Sequence, residues 1–409
     1  MRGFVAKPLG MLDHPELVAR SIADLWPIKN DSLLALIELA NADPRPEKID
    51  VGVGVFRDSA GNTPILKVIK EAERRLWERQ DTKSYLGGRG DVRFVELLRP
   101  ILLGEHAGDE RIAALQTPGG CGALTLGFHL VKAANPDAQV FIGTPTWPNH
   151  GPIVRGSGLN IVEYPYYDPA DRRVLFDGMM ERLRSARAGD VVLLHGCCHN
   201  PTGADLSREQ WAEVTRLVAE RGLLPFIDIA YQGFGDGLDA DAAGLRGMLD
   251  ACDTVLAAQS CDKNFSVYRD RVGSLWFKTP TTAATDNAMS HVLQISREFW
   301  SMPPDHGAAS VRIALDEPDL RSQWHVELDG MRERIASLRK RLAAADPSLA
   351  YVAEQKGMFS MLPVSPQQVL ELRERHAIYM ADSGRFNVCG MCDDDVDRFA
   401  SAVLQVMNG

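Results

Sequence analysis

Residues 190–230, DVVLLHGCCHNPTGADLSREQWAEVTRLVAERGLLPFIDIA, hold two short apolar runs, Asp190-Val-Val-Leu-Leu-His195 and Leu224-Pro-Phe-Ile-Asp-Ile-Ala230, on either side of an amphipathic stretch from Ser207 to about Arg221. Runs of that length without polar alternation fit strands covered on both faces, and Ser207 with Gln210 has the capping-box spacing that opens a helix. Strand, helix, strand in this order needs a crossover, and its repetition builds a mostly parallel sheet between two layers of helices, an α/β fold. The repetition is present: strand-like runs begin at Ile112, Gln139 and Thr254.

Ligands of open α/β sheets bind outside the carboxyl ends of the strands. There the sequence gathers His199-Asn-Pro-Thr-Gly203, Asp228, Tyr231 and Lys263. Lys263 follows an apolar run, with Ser260 before it and Arg269 and Arg271 after it. An amine beside a hydroxyl and cations suits a Schiff base to pyridoxal phosphate, whose phosphate those groups would hold. Asp228, in an otherwise apolar strand, would face the ring nitrogen, because a protonated ring is the better electron sink and a buried carboxylate needs a cation. Asn200 and Tyr231 read either as hydrogen-bond donors to the ring phenolate or as turn residues. Ile112 to Gly127 reads as strand, Gly-rich turn and then a helix to about Lys132, so its amides would meet a phosphate, or it is a plain tight turn. Trp147 stacks on a flat ring or packs in a Pro-rich turn, and Gly52 and Gly54 allow close backbone approach or mark a bulged strand end. Tyr85 is presented by the loop Lys83-Ser-Tyr-Leu-Gly-Gly-Arg-Gly90.

The chain has 409 residues, 45% hydrophobic, enough for a large and a small domain. A net charge of -10 without a Lys/Arg block argues against nucleic-acid or anionic-membrane partners. Seven cysteines, with Cys197 and Cys198 adjacent, make no disulfide framework and fit a reducing compartment. No secretory signal and no apolar run near ~20 residues is found, so a cytoplasmic protein is expected. Residues 1 to about 30, with Pro8, Pro15 and Pro27, suggest an ordered arm, and Pro64 opens a helical pattern to Gln80. From about 310 long helices take over, notably Asp319 to Ala345, where Trp324, Leu328, Met331, Ile335, Leu338 and Leu342 are core positions. A strand at Met358–Pro363, a helix from Ser365 to about His376 and a last helix from Asp393 to Met407 follow.

Taken together, Asp43-Pro-Arg-Pro-Glu-Lys-Ile-Asp-Val-Gly-Val-Gly-Val-Phe56, Thr82-Lys-Ser-Tyr-Leu-Gly87, Gln116-Thr-Pro-Gly-Gly120, Pro145-Thr-Trp-Pro-Asn-His150, Cys198-His-Asn-Pro-Thr-Gly203, Phe226-Ile-Asp-Ile-Ala-Tyr-Gln-Gly-Phe234, Lys263-Asn-Phe265, Ser301-Met-Pro-Pro-Asp-His-Gly-Ala308 and Ser383-Gly-Arg-Phe-Asn387 resemble the class I aminotransferases of the aspartate and aromatic amino acid group. The resemblance implies pyridoxal phosphate fold type I. A large domain, residues 49–311, would carry a mostly parallel seven-stranded sheet, with a smaller α+β domain in 312–409 joined by part of an N-terminal segment, 1–48. It implies that Lys263 bonds the cofactor and shuttles the proton, that Asp228, supported by His150, pairs with the ring nitrogen, that Trp147 stacks on the ring and that Asn200 and Tyr231 bond its phenolate. Gly120, Cys121, Ser260 and Arg271 would hold the phosphate, with Tyr85 reaching in from the other subunit of a homodimer. Arg385 would grip the substrate α-carboxylate beside Gly54, Trp147 and Asn200, and Arg297, from the partner, a side-chain carboxylate.

Three positions depart from the family pattern: Cys121 stands for Ser or Thr, Asp262 for Ser and Ser266 for Gly. An Asp beside a phosphate repels it, so either Asp262 turns toward Arg269 or the cofactor binds more weakly than in relatives, and the first is the expectation. Arg297 predicts dicarboxylates, while Met302, where strict aspartate enzymes carry Asn, with Phe56 and Phe386 nearby in sequence, suggests an apolar rim for an aromatic ring. The expected activity is transfer from aromatic amino acids to 2-oxoglutarate, with aspartate also accepted. The alternatives are a primarily aspartate enzyme, a pyridoxal-phosphate lyase or decarboxylase, a cofactor-binding regulator, and, last, a metal site of His195, Cys197, Cys198 and His199; no metal is expected.

Overall fold

A computed structural model describes residues 21–25 and 32–408. Apart from 21–25, the expected arm lies outside the described residues. Seven strands form the central sheet: β1 (Ile112–Pro118), β2 (Gln139–Thr144), β3 (Asn160–Pro165), β4 (Val191–His195), β5 (Leu224–Ile229), β6 (Val255–Ser260) and β7 (Val272–Lys278). Their order is β1-β7-β6-β5-β4-β2-β3. All neighbours run parallel except β7, which is antiparallel to both β1 and β6.

The apolar runs are unbroken because both faces are covered. In β4, Val191 and Leu193 join one apolar cluster and Val192 and Leu194 the other; in β5, Phe226 points one way and Ile227 and Ile229 the opposite way. That is the period-two alternation of a strand read across two buried faces. The helix Gly119–Ala134 lies on the Phe226 side, so close that a Cβ on Gly127 would sit 2.3 Å from Phe226 Cζ.

The helix Arg208–Arg221 begins with both halves of the Ser207–Gln210 capping box in place. The helix expected from Pro64 starts instead at Lys67, where the Glu327 carboxylate accepts from the Lys67 and Val68 amides at 2.7 and 3.0 Å. A distant side chain supplies the cap, so the local sequence does not mark the start.

The long helix spans Pro318–Ala345, with Trp324, Leu328, Met331, Ile335, Leu338 and Leu342 all buried. Trp324 stacks on Phe265, ring centroids 4.5 Å apart, and donates from Nε1 to the Asn264 carbonyl at 2.9 Å. This helix therefore backs the turn that carries Lys263. Among the described residues three short ladders finish the framework: Phe359–Met361 runs antiparallel to Arg385–Asn387, Tyr167–Asp168 antiparallel to Arg173–Val174, and Ile49–Asp50 parallel to Ile378–Tyr379. Ahead of Gly52 and Gly54 the strand is only those two residues, Ile49–Asp50. Among the described residues no helix is long and apolar enough to cross a membrane.

Candidate active site

Strand register brings the site together. His195 pairs with Asp228, Ser260 with Gly273 and Val272 with Pro118, so the ends of β4, β5, β6 and β1 and the start of β7 share one edge of the sheet. A cavity of about 270 Å³ opens there, near the small end of ligand sites, which run roughly 300–1,000 Å³. Of the residues expected from sequence, Gly54, Gly120, Cys121, Trp147, Asn200, Asp228, Tyr231, Ser260, Lys263, Arg271 and Arg385 all line it.

On the sheet side a buried polar chain supports Asp228. His150 Nε2 lies 2.9 Å from Asp228 Oδ2, and Thr146 Oγ1 lies 2.8 Å from His150 Nδ1 and 3.0 Å from His195 Nε2. Burial pushes the Asp228 carboxyl up, but its hydrogen bond and attraction to His150 outweigh this and hold it below the usual carboxylate range. Burial, followed by the neighbouring His150, pushes His195 down to about 3, so that ring is neutral. Asp228 is thus a buried anion facing the cavity, a position that asks for a cationic or proton-bearing partner.

Across the cavity Asn200 Nδ2 donates to Tyr231 Oη at 3.4 Å, while Asn200 Oδ1 is buried with no hydrogen-bond partner. Lys263 Nζ stands 5.2 Å from the centre of the Tyr231 ring. Asn200 and Tyr231 therefore meet on the lining of the cavity.

At the start of the helix Gly119–Ala134, Gly119 has φ +68°, and a Cβ there would fall 2.6 Å from Arg271 Nη2. Glycine leaves room for the guanidinium at an amide-rich helix end, a cradle for an anion. Burial pushes the Cys121 thiol up, against the opposing effect of Arg271, so it is a neutral, weak donor. Asp262 does not turn toward Arg269 as expected: its Oδ2 is ion-paired with Arg271, and its Oδ1 accepts from the Val272 amide at 3.1 Å. Arg271 has φ +57°, and its Nη1 also donates to the Tyr268 carbonyl at 3.0 Å. This left-handed backbone curls the side chain back toward residue 262, a geometry that spacing cannot reveal.

The opposite wall holds Arg385, whose Nη2 donates to the Gly52 carbonyl at 2.9 Å and whose guanidinium lies 4.8 Å over the Phe359 ring. Asn387 Nδ2 donates to the Val53 and Val55 carbonyls, both at 2.7 Å, pinning the glycine-broken run to the Arg385 strand. A Cβ on Gly54 would meet Phe359 Cζ at 2.8 Å, and one on Gly52 would meet Leu36 Cδ2 at 2.3 Å. Gly54 thus admits an aromatic wall, and Gly52 answers to packing.

Several expectations are corrected. Neither Phe56 nor Phe386 lines the cavity: Phe56 is buried, its amide donating to Tyr268 Oη at 2.9 Å, and Phe386 packs on Phe399. The aromatic lining comes from Phe359, Trp147, Tyr231 and Tyr268, of which Phe359 and Tyr268 went unnoticed in the sequence. Met302 also lies outside the cavity, and its sulfur accepts from the Leu86 amide at 3.2 Å, beside Tyr85. Tyr85 is 92% exposed and Arg297 is exposed with its guanidinium on Ser301 Oγ, so neither enters the cavity of its own chain. Cys197 and Cys198 cluster with Asp241, whereas His195 and His199 bond to Thr146 and Thr202.

One parallel-sheet edge thus brings together a lysine, a histidine-backed aspartate and an arginine over an aromatic wall. The family profile "Aminotransferase class I and II" matches residues 46–403, and the chain belongs to that family. The tyrosine aminotransferase of Rhizobium meliloti (strain 1021) is 48% identical over 366 residues, 88% of this chain and 94% of that one. The aspartate aminotransferase of Escherichia coli (strain K12) is 39% identical over 386 residues, 92% of this chain and 98% of that one. Among solved structures, an aromatic-amino-acid aminotransferase from Burkholderia pseudomallei covalently bound to pyridoxal phosphate superimposes with a TM-score of 0.91 at 38% identity, over 95% of this chain and 100% of that one. The architecture is fold type I, and the protein is an aminotransferase, exchanging amino groups between amino acids and 2-oxo acids.

Proposed function

We propose that the chain moves the amino group of aromatic L-amino acids (phenylalanine, tyrosine, tryptophan) to 2-oxoglutarate, using pyridoxal 5'-phosphate, and that it also accepts aspartate. The observation that carries the reading is the buried Asp228–His150 pair facing the same cavity as Lys263 and Arg385. The unpartnered Asn200 Oδ1 and the glycine cradle beside Arg271 fit a phosphorylated ring with polar edges.

When bound, pyridoxal phosphate supplies a protonated ring that takes up the electron pair left on the amino acid Cα. In this reading Asp228, held by His150, keeps the proton on the ring nitrogen. Asn200 and Tyr231 would hold the ring oxygen, and Trp147 would lie against the ring. Gly120, Cys121, Ser260 and Arg271 hold the phosphate, aided by the partner subunit's Tyr85. Lys263 would hold the cofactor through its amine, and the same amine would carry the proton from the substrate Cα. Arg385 grips the α-carboxylate as a planar fork, its ring contact with Phe359 fixing the plane.

Phe359 and Trp147 offer an aromatic side chain two apolar surfaces, and the relatives named for tyrosine and aromatic substrates support that choice. Dicarboxylates are assigned to the partner subunit's Arg297, in a cytoplasmic homodimer with shared sites. We divide the chain into a large unit of 49–311 and a small unit of 312–409 completed by part of 1–48.

The test is absorbance. Loaded protein is mixed separately with phenylalanine, tyrosine, aspartate and glutamate, without keto acid. Aromatic and dicarboxylic amino acids should both convert the pyridoxal band to the pyridoxamine band, and 2-oxoglutarate should restore it. Bleaching by aspartate and glutamate alone makes this an aspartate enzyme; persistence of the band with all four sinks the assignment.

A further inference from the structure

We propose that Asp262 competes with the cofactor phosphate for Arg271, so that this chain holds the amine form of the cofactor loosely and exchanges it with solution between half-reactions. The inference rests on the cofactor reading above and concerns a residue that departs from the family pattern.

Asp262 is buried, 3% exposed, and lines the same cavity as Gly120, Cys121, Ser260, Lys263 and Arg271. Its two oxygens are committed in different ways. Oδ1 accepts from the Val272 amide at 3.1 Å, which fixes the carboxylate on the backbone, and Oδ2 takes the Arg271 guanidinium. Arg271 Nη1 is already shared with the Tyr268 carbonyl. A phosphate arriving at the glycine cradle therefore meets an arginine whose charge is matched by a carboxylate that cannot move away without losing an amide. The incoming dianion must share that guanidinium and lies close to a like charge. Nearby compensation is reduced at Cys121, which presents a thiol where a hydroxyl would donate strongly, while Ser260 Oγ accepts from the Asp262 amide at 3.3 Å and keeps its O–H for a phosphate.

The two forms of the cofactor feel this unequally. The aldehyde form is tethered by its bond to Lys263, so a weak phosphate grip is masked. The amine form has no such bond, and its residence depends on the ring contacts and the phosphate. Loose phosphate binding should therefore show in the amine form first.

Equilibrium dialysis and quenching of tryptophan fluorescence on titrating the apoprotein with pyridoxamine phosphate read this directly. Asp262→Asn keeps an acceptor for the Val272 amide and removes the charge; Asp262→Ser removes both. Each should tighten pyridoxamine phosphate by about tenfold, the equivalent of one pK unit of interaction for a pair that is partly screened, with a smaller gain for pyridoxal phosphate. Unchanged or weaker binding in Asp262→Asn would show that the carboxylate positions Arg271 for the phosphate, and would overturn the proposal even if Asp262→Ser misfolds. The cofactor reading fails separately: native protein that takes up no pyridoxal phosphate, or whose uptake and absorbance band are indifferent to Lys263→Ala, removes the cofactor itself.

Discussion

Lys263 and Arg385 line one cavity and should fail in different ways. Lys263→Ala should abolish turnover and the band of covalently held cofactor, leaving the fold intact. Arg385→Lys should leave that band in place and raise KM for every amino acid substrate by roughly 10²-fold, because a point charge cannot replace a two-pronged fork; steady-state kinetics decide this, and an unchanged KM would put the carboxylate elsewhere. His195 gives a pH prediction. Its folded pKa, about 3, lies below the ordinary value near 6.5 of the unfolded chain, so the unfolded state binds the extra proton. Its stabilising contribution is complete above pH ~6.5 and is lost as pH falls through that value toward 3, costing about 1–2 kcal/mol by pH 5. Urea titrations at pH 7 and pH 5 should show this loss, smaller in His195→Gln; an equal loss in both proteins contradicts it. Asp228 was legible at this scale, because a carboxylate in an apolar strand is conspicuous. Asp262 was legible as an oddity but not in its partner, since the left-handed backbone at Arg271 chose the contact.

At the scale of elements, the Lys263 turn is only as firm as its backing. Trp324 stacks on Phe265 and bonds the Asn264 carbonyl, so the long helix Pro318–Ala345 holds the residues next to the lysine. Trp324→Ala should cost about 3–5 kcal/mol in denaturant unfolding, from the cavity and the stranded carbonyl. It should also raise the dissociation constant of the cofactor; an unchanged dissociation constant in Trp324→Ala would sink the backing argument. Gly127→Ala pushes a methyl at Phe226, two residues before Asp228 on β5, and should cost about 1–3 kcal/mol of stability. Strands and long helices were readable because burial on two faces and helical spacing leave periodic marks. The strand at Met358–Pro363 was readable too, though it spans only Phe359–Met361, but that Phe359 faces the cavity was not, because this depends on its ladder with the distant Arg385–Asn387.

For the whole molecule, the fully exposed Tyr85 and the surface Arg297 lie outside the cavity of their own chain, and sequence spacing could not say which chain they serve. If the partner uses them, Arg297→Ala should raise KM for aspartate by about 10²-fold or more and leave phenylalanine within a few-fold. Hybrids of Lys263→Ala and Arg297→Ala subunits should then regain one site in two for aspartate; hybrids no better than the parents would assign Arg297 to its own chain. One further consequence lies in the hydrogen bonds from Asn387 to Val53 and Val55 and from Arg385 to Gly52, which join backbone more than 330 residues apart. During synthesis the Lys263 and Asp228 half of the cavity emerges from the ribosome long before its Arg385 wall. The Arg385 wall is thus the last part of the cavity that the growing chain can assemble, because it closes on the Gly52–Val55 segment only once residues 385–387 exist.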